Sequence, residues 1–127
     1  MTKEEFLKNY IGAFNRGDFD GFTRFYDANV VLDLGGKKRL EGRAAIRRFY
    51  EEVLQRIEER LTVDRLVLDE HGLACIVRTE FKAKEDWPDF IAGEIRRGES
   101  IFIESFIFYT IGPDGASTEI CTARSRG

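Results

Sequence analysis

One charged side chain, Glu104, has the residue type and the surroundings for acid–base chemistry, and two others, Arg78 and Glu80, stand close together on a neighbouring strand. Glu104 stands in the middle of the segment IFIESFIFY, where both alternations of a strand are apolar. Because burial raises the pKa of a carboxyl group, an acid in such a segment is a candidate general acid or base. Arg78 and Glu80 are two residues apart in GLACIVRTEF and therefore share one strand face.

Each of these side chains also has a purely structural interpretation. Glu104 can serve in a hydrogen bond or in an ion pair across a subunit interface. Arg78 and Glu80 can face solvent, since the other alternation of their strand is apolar. That alternation comprises Leu73, Cys75, Val77 and Phe81. If the two charges instead face the interior, their burial is unfavourable unless they pair with each other.

The sequence has few histidine and cysteine residues from which a metal site or a catalytic triad could be formed. The chain has one histidine, His71, in a turn-like stretch, and two cysteines, Cys75 and Cys121, in neither a CxxC nor a Cys/His spacing. A histidine-based triad or a zinc site needs more such residues. We therefore expect no metal, no cofactor and two buried thiols.

Length and composition indicate one small domain. With 127 residues, 43% of them hydrophobic, residues 1–127 are predicted to form a single domain around one core. A net charge of only −3 argues against a nucleic-acid partner. The start MTKEEFLKNY lacks the apolar core of a signal peptide, and no apolar run approaches the roughly 20 residues of a membrane span. We expect a cytoplasmic protein without a membrane partner.

Helical periodicity predicts three helices in the first half. Thr2 and Glu5 are spaced as a capping box for the first helix, which Gly17 can end. Asp18 can cap a second, shorter helix. Its aromatic face comprises Phe19, Phe22, Phe25 and Tyr26. The third helix has apolar residues at spacings of three and four, namely Ile46, Phe49, Tyr50, Val53 and Ile57.

A period of two predicts strands, mostly in the second half. A short strand at 30–34 ends at Gly35-Gly36 and is followed by a return strand. Further strands lie near 61–69, 73–84, 100–111 and 116–124. Helices grouped first and strands after them describe an α+β domain, in which a curved antiparallel sheet has helices on one face.

Two segments of the second half bear on function. The strand at 100–111 is apolar on both faces, and helices can cover only one, so we expect the other face to meet a second copy in a homodimer. The segment 84–99 is longer than a hairpin needs and contains Trp87 and Phe90. We expect it to act as a lid or plug that keeps water from a pocket.

The segments YIGAFNRGDFDGFTRFYDANVVL and EGRAAIRRFYEEVL resemble the SnoaL-like branch of the nuclear transport factor 2-like superfamily. Its members include polyketide cyclases, ketosteroid isomerases and limonene epoxide hydrolases. The resemblance rests on a GD turn between the first two helices and a GR before the third. It implies a cone-shaped antiparallel or mixed sheet wrapped around three helices, with a ligand pocket inside. The superfamily contains enzymes and non-enzymes.

The resemblance also implies roles for particular residues. Tyr10 matches an oxyanion-hole tyrosine of ketosteroid isomerases, and Glu104 matches the protonated acid beside it. Arg78 and Glu80 match an arginine and an acid of limonene epoxide hydrolases.

Both enzyme patterns are incomplete in this chain. Leu34 stands where the isomerases have their base, and Thr122 stands where the hydrolases have a second acid. We expect both residues to line the pocket. The other expected lining residues are Phe14, Phe49, Tyr50, Trp87, Phe90, Phe102 and Phe106.

The resulting hypothesis is a pocket protein for a small hydrophobic molecule, acting as a cofactor-independent isomerase, cyclase or hydrolase by acid–base chemistry. Its candidate acids or bases are Glu104 and Glu80, and its candidate polarising groups are Tyr10 and Arg78. The alternative, which the incomplete patterns favour, is a non-catalytic ligand-binding or dimerisation module of the same fold.

Overall fold

The computed structural model describes residues 1–126 and the side chains of residues 1–125, and in this part of the chain three helices lie in the first half. Helix α1 is built from three successive stretches, Lys3–Glu5, the π-helical Phe6–Ile11, and Gly12–Asn15. Helix α2 spans Phe19–Thr23, and helix α3 spans Arg43–Arg56. Thr2 and Glu5 form the predicted capping box, and the Asp18 side chain accepts a hydrogen bond from the amide of Gly21.

Six strands form one mixed sheet in the described part of the chain. They are β1 (Tyr26–Leu34), β2 (Lys38–Glu41), β3 (Ile57–Leu68), β4 (Gly72–Ala83), β5 (Ser100–Ile111) and β6 (Ser117–Arg126). Their order across the sheet is β2-β1-β6-β5-β4-β3. The β1–β6 pair is parallel and the other pairs are antiparallel. The predicted α+β class, with a mixed sheet and three helices from the first half of the chain, is confirmed.

Register shifts bend the sheet around the helices. One shift lies between Val63 and Arg65 in β3, and another lies between Glu104 and Ser105 in β5 where it pairs with β6. Such bulges increase local twist and curvature. The sheet stays open, with β2 and β3 at its edges.

The helices pack on one face of the sheet, which we call the inner face. Ser105 and Tyr109 of β5 point to it and are buried. The largest fully buried side chains here include Phe6, Phe22, Ile46 and Val77. The opposite, outer face carries Phe102, Phe106 and Phe108, whose exposed fractions are 66%, 51% and 49%. No helix in the described part of the chain is long and apolar enough to cross a membrane.

Two predicted element boundaries were wrong. Tyr26, expected on the second helix, begins β1, because α2 ends at Thr23. Ile57, expected on the third helix, begins β3 and is fully buried. Both residues continue the apolar spacing of the preceding helix, so periodicity alone does not place the boundary.

Candidate functional site

A cavity of about 480 Å³ lies between α3, the segment 84–99 and the inner face of the sheet. We call it the main cavity. Its walls are mostly apolar, and its charged side chains are Glu59, Lys37 and Arg124. The apolar side chains that line it include Leu34, Phe49, Val53, Phe81, Phe90, Ile91 and Ile103.

Glu59 is the acidic residue in this lining. It lies on β3 opposite Phe81. Because it is two residues from the buried Ile57 and from the buried Leu61, it shares their strand face, and its side chain points to the inner face. No hydrogen bond or ion pair engages its carboxyl group within the described part of the chain. Burial raises the pKa of Glu59 to about 8, since loss of hydration disfavours the charged form. At neutral pH the group is therefore mostly a protonated acid.

Hydroxyl groups lie in the same lining. Tyr50, Ser105 and Thr122 all border the main cavity. Burial, followed by the nearby charge of Glu59, raises the pKa of Tyr50 well above its ordinary value, so its hydroxyl keeps its proton. Within the described residues these three hydroxyls make no hydrogen bond to protein. They are available to a molecule inside the cavity.

A second cleft, of about 440 Å³, also reaches Glu59. We call it the polar cleft, because its lining is rich in charged residues. It includes Asn15, Arg16, Glu58, Arg60, Glu80, Lys82 and Lys84. Glu59 thus borders both the apolar cavity and a wetter opening, through which its proton can exchange with solvent.

Five predicted pocket residues do line the main cavity, namely Leu34, Phe49, Tyr50, Phe90 and Thr122. Their role as ligand contacts stays a prediction. Phe14 is instead buried in the core, where it packs on Phe22 and Tyr50 and borders the polar cleft. Trp87 lies outside the lining and stacks between Arg56, 3.9 Å from its ring, and Phe90, at 4.8 Å.

The three predicted catalytic charges lie on the outer face. Arg78 makes two hydrogen bonds to Asp64, of 2.7 and 2.9 Å. The Glu80 carboxylate accepts a hydrogen bond of 3.0 Å from Ser100. Glu104 stands directly opposite Arg78 in the β4–β5 register. Its carboxylate accepts a hydrogen bond of 2.9 Å from Ser125.

Of the two orientations left open for Arg78 and Glu80, the structure shows the outward one, and Glu104 shares that face. Arg78, Glu80 and Glu104 come together at a shallow outer groove of about 310 Å³ and not at the main cavity. Phe102 borders the same groove, and Phe106 is also on the outer face. The physical reason is that the apolar alternation of β4 packs on the helices, which sends the polar alternation outward.

Tyr10 is part of a buried tyrosine network away from the main cavity. Its hydroxyl lies 2.6 Å from that of Tyr26 and accepts a hydrogen bond of 3.3 Å from Tyr109. Burial raises the pKa of all three hydroxyls well above the ordinary value. These contacts satisfy the polar group of Tyr10 within the core.

Sequence reasoning missed Glu59, Ser105, Lys37 and Arg124. Glu59 was hidden because the strand was predicted to begin at 61, which left it in the helix-to-strand connection. Placing Ile57 on β3 would have shown Glu59 on the apolar alternation. No cluster of three histidine, cysteine or carboxylate side chains suited to a metal ion occurs among the described residues.

Comparison with known proteins bears on the fold and the family. A provisionally assigned polyketide cyclase from Xanthomonas campestris pv. campestris is 20% identical, with a TM-score of 0.77 over 94% of this chain and 87% of that protein. An LEH-like epoxide hydrolase of M. tuberculosis is 12% identical, with a TM-score of 0.75 over 94% of this chain and 79% of that protein. At such identities the likeness shows a shared fold.

The sequence also matches a family profile. No curated protein matches the sequence of this chain. The profile of the SnoaL-like domain matches residues 7–120, which is most of the 127 residues and includes α2, α3 and the sheet as far as β6. The chain therefore belongs to the SnoaL-like domain family.

Proposed function

We propose that the main cavity binds a small, largely apolar molecule and that Glu59 transfers a proton to or from it. The observation that carries the proposal is an acid in an apolar cavity with no protein partner within the described residues. The Glu59 side chain is half-buried, and a carboxyl group partly removed from water without a protein partner is unfavourable for stability, so its position suggests use by a ligand.

The surroundings of Glu59 suit reversible proton transfer. With a pKa of about 8, Glu59 is mostly protonated at neutral pH but keeps a carboxylate fraction, so it can either donate or accept a proton. As the carboxylate, it can take a proton from carbon beside a carbonyl group, and the electron pair moves to the carbonyl oxygen. The protonated hydroxyls of Tyr50 and Ser105 can donate hydrogen bonds to that oxygen.

The structural relatives support acid–base chemistry as the reaction class. Their names include a polyketide cyclase, an LEH-like epoxide hydrolase and an epoxide hydrolase/cyclase-like enzyme. The competing proposal is a non-catalytic binding protein, and it predicts that Glu59 is dispensable for any reaction.

Binding is tested with N-phenyl-α-naphthylamine, a neutral apolar dye whose fluorescence rises on leaving water. We expect the dye to bind the wild type and to lose most of its affinity in Ala92→Trp, because Ala92 lines the main cavity. Ala44→Trp, at an exposed position on α3, is the matched control and should bind normally. Equal binding by both variants would place the dye elsewhere.

Proton transfer is tested with α-tetralone, an apolar ketone, in deuterated water. We expect the protein to accelerate exchange of the hydrogens beside the carbonyl, and Glu59→Gln to lower that rate by at least tenfold. Glu58→Gln, which changes the neighbouring exposed acid, should retain the wild-type rate. Equal rates for wild type and Glu59→Gln, in protein that still binds the dye, would favour the binding-only alternative.

A further inference from the structure

Arg124 is a cation on the apolar inner face of the sheet. It pairs with the buried Ser105 in the β5–β6 register, so the two side chains share the inner face, and both line the main cavity. Its guanidinium donates one long hydrogen bond, 3.4 Å, to the carbonyl of Ala92. No carboxylate forms an ion pair with it among the described side chains. Arg124 is exposed, and because a guanidinium has five N–H donors, those not bonded to protein are open to solvent or to a ligand.

Lys37, an exposed residue, borders the same cavity from the turn that follows the neighbouring strand β1. Leu34 of β1 is aligned with Thr122 of β6, and these two strands are parallel. Residues that follow Leu34 and Thr122 therefore lie in the same direction, and these include Lys37 and Arg124. Both line the cavity, and Lys37 likewise forms no ion pair within the described part of the chain.

The turn between β1 and β2 fixes Lys37 at this position. Gly35 and Gly36 have φ angles of 61° and 76°, a conformation that favours glycine, and the amide of Lys37 donates to the carbonyl of Leu34. A Cβ atom on Gly35 would lie 3.8 Å from the carbonyl oxygen of Thr122, so the turn sits against β6. Lys37 is thus carried by a tight hairpin and not by a long loop.

The charges of the cavity do not balance from within. Among the described residues its lining contains two cations and one carboxyl group, and that carboxyl group is mostly protonated at neutral pH. Two other arginines on strands have carboxylate partners, Arg39 with Glu41 and Arg78 with Asp64. An apolar body with an anionic group at one end would complement this lining.

We infer that the ligand of the main cavity is an apolar molecule with an anionic oxygen group, carboxylate or phosphate, which Arg124 and Lys37 hold at the end of the cavity beyond Leu34 and Thr122. The inference rests on the proposed function, because it names the ligand class of the same cavity. Arginine suits either anion, since its planar N–H groups can engage two oxygens at once.

The test compares ligands with one apolar body and different head groups by isothermal titration calorimetry. The probes are β-naphthoate, β-naphthyl phosphate and the neutral β-naphthamide. We expect one anion to bind at least tenfold more tightly than the amide, and the tighter anion identifies the head group. The preference should shrink as sodium chloride screens the charges.

Variants locate the preference. Arg124→Gln and Lys37→Gln should each reduce anion affinity at least fivefold while leaving naphthamide binding unchanged. The controls Arg48→Gln and Lys8→Gln remove like charges from exposed positions on α3 and α1. They should leave the anion preference intact, and a similar loss in the controls would assign it to the general field of the protein.

The failure of this inference differs from the failure of the proposed function. If all three probes bind equally, or if the anions bind more weakly, the ligand class is wrong while the cavity still binds apolar molecules. If neither these probes nor N-phenyl-α-naphthylamine bind, the proposed function and the inference are both contradicted.

Discussion

At the scale of single residues, the ionisation of Glu59 opposes folding. Its pKa is about 8 in the folded protein and 4.5 as an ordinary carboxyl, so the folded state holds a proton that the unfolded state releases between these values. The contribution of Glu59 to the free energy of unfolding should therefore be highest below about pH 4.5, fall as pH rises, and level off above pH 8. Each unit of pKa difference corresponds to about 1.4 kcal/mol, which makes the total loss several kcal/mol.

This pH dependence can be measured by urea unfolding of the wild type and Glu59→Gln across that range. The variant should become increasingly more stable than the wild type as pH rises, because glutamine does not ionise. Glu58→Gln serves as the control, since Glu58 is exposed. A constant difference between wild type and Glu59→Gln at all pH values would show that Glu59 ionises normally.

The same residue marks the limit of prediction at this scale. The sequence predicted that a buried carboxyl group would be the chemical centre, but it selected Glu104. Glu104 has apolar neighbours on both sides in the sequence. Its strand nevertheless leaves one apolar face exposed in the isolated chain, and Glu104 lies on that face. Glu59 stands in the charged run Glu58, Glu59, Arg60. Only the alternation of side chains along β3 shows which of the three faces the interior.

At the scale of elements, the segment 84–99 is built as a small ordered hairpin. Trp87 and Ile95 exchange backbone hydrogen bonds of 2.8 and 3.2 Å. Phe90 and Ile95 are buried, and Phe90 packs 5.1 Å from Phe81. A segment held by these contacts covers the main cavity as a fixed wall and not as a loose flap.

Hydrogen exchange tests this interpretation. The amides of Trp87 and Ile95 should exchange at least tenfold more slowly than the amide of Asp89, which makes no backbone hydrogen bond in the described structure. Rapid exchange at all three positions would support the lid predicted from the sequence, which must open without unfolding the rest of the chain.

Element order and most strand boundaries could be predicted because the hydrophobic period changes from helical to alternating along the chain. The errors fell where one apolar residue satisfies both periods. Ile57 follows Val53 at helical spacing and precedes Leu61 and Val63 at strand spacing, and burial in the core decides for the strand. The parallel β1–β6 pairing has no such local signal, since it joins residues that are distant in sequence.

At the scale of the whole molecule, we propose that the outer face of the sheet joins two copies of the chain. Phe102, Phe106 and Phe108 form an exposed apolar surface. Arg78 and Glu104 stand opposite each other on the same face, so a second copy related by a two-fold axis can present opposite charges to each. The outer position of the charges thus fits an interface better than a ligand pocket.

Sedimentation velocity tests the dimer. The wild type should sediment as a dimer at tens of micromolar, and Phe106→Glu should shift it to a monomer by placing a charge in the apolar surface. Leu7→Glu, at a similarly exposed apolar residue on α1, should remain dimeric. A monomeric wild type, or dissociation in both variants, would contradict an interface on this face.

The position of β6 between β1 and β5 has a further consequence for how the chain reaches its fold. Strand β1, at residues 26–34, finds its parallel neighbour only at residues 117–126. During synthesis the β1–β2 hairpin and the β3–β4–β5 meander therefore have unpaired strand edges until β6 has been synthesised and pairs with β1 and β5. Pairing between strands so distant in sequence has a high loop-closure entropy cost. We therefore expect the docking of β6 to be the slow step of folding, and chaperones to bind mainly at the unpaired edges of β1 and β5.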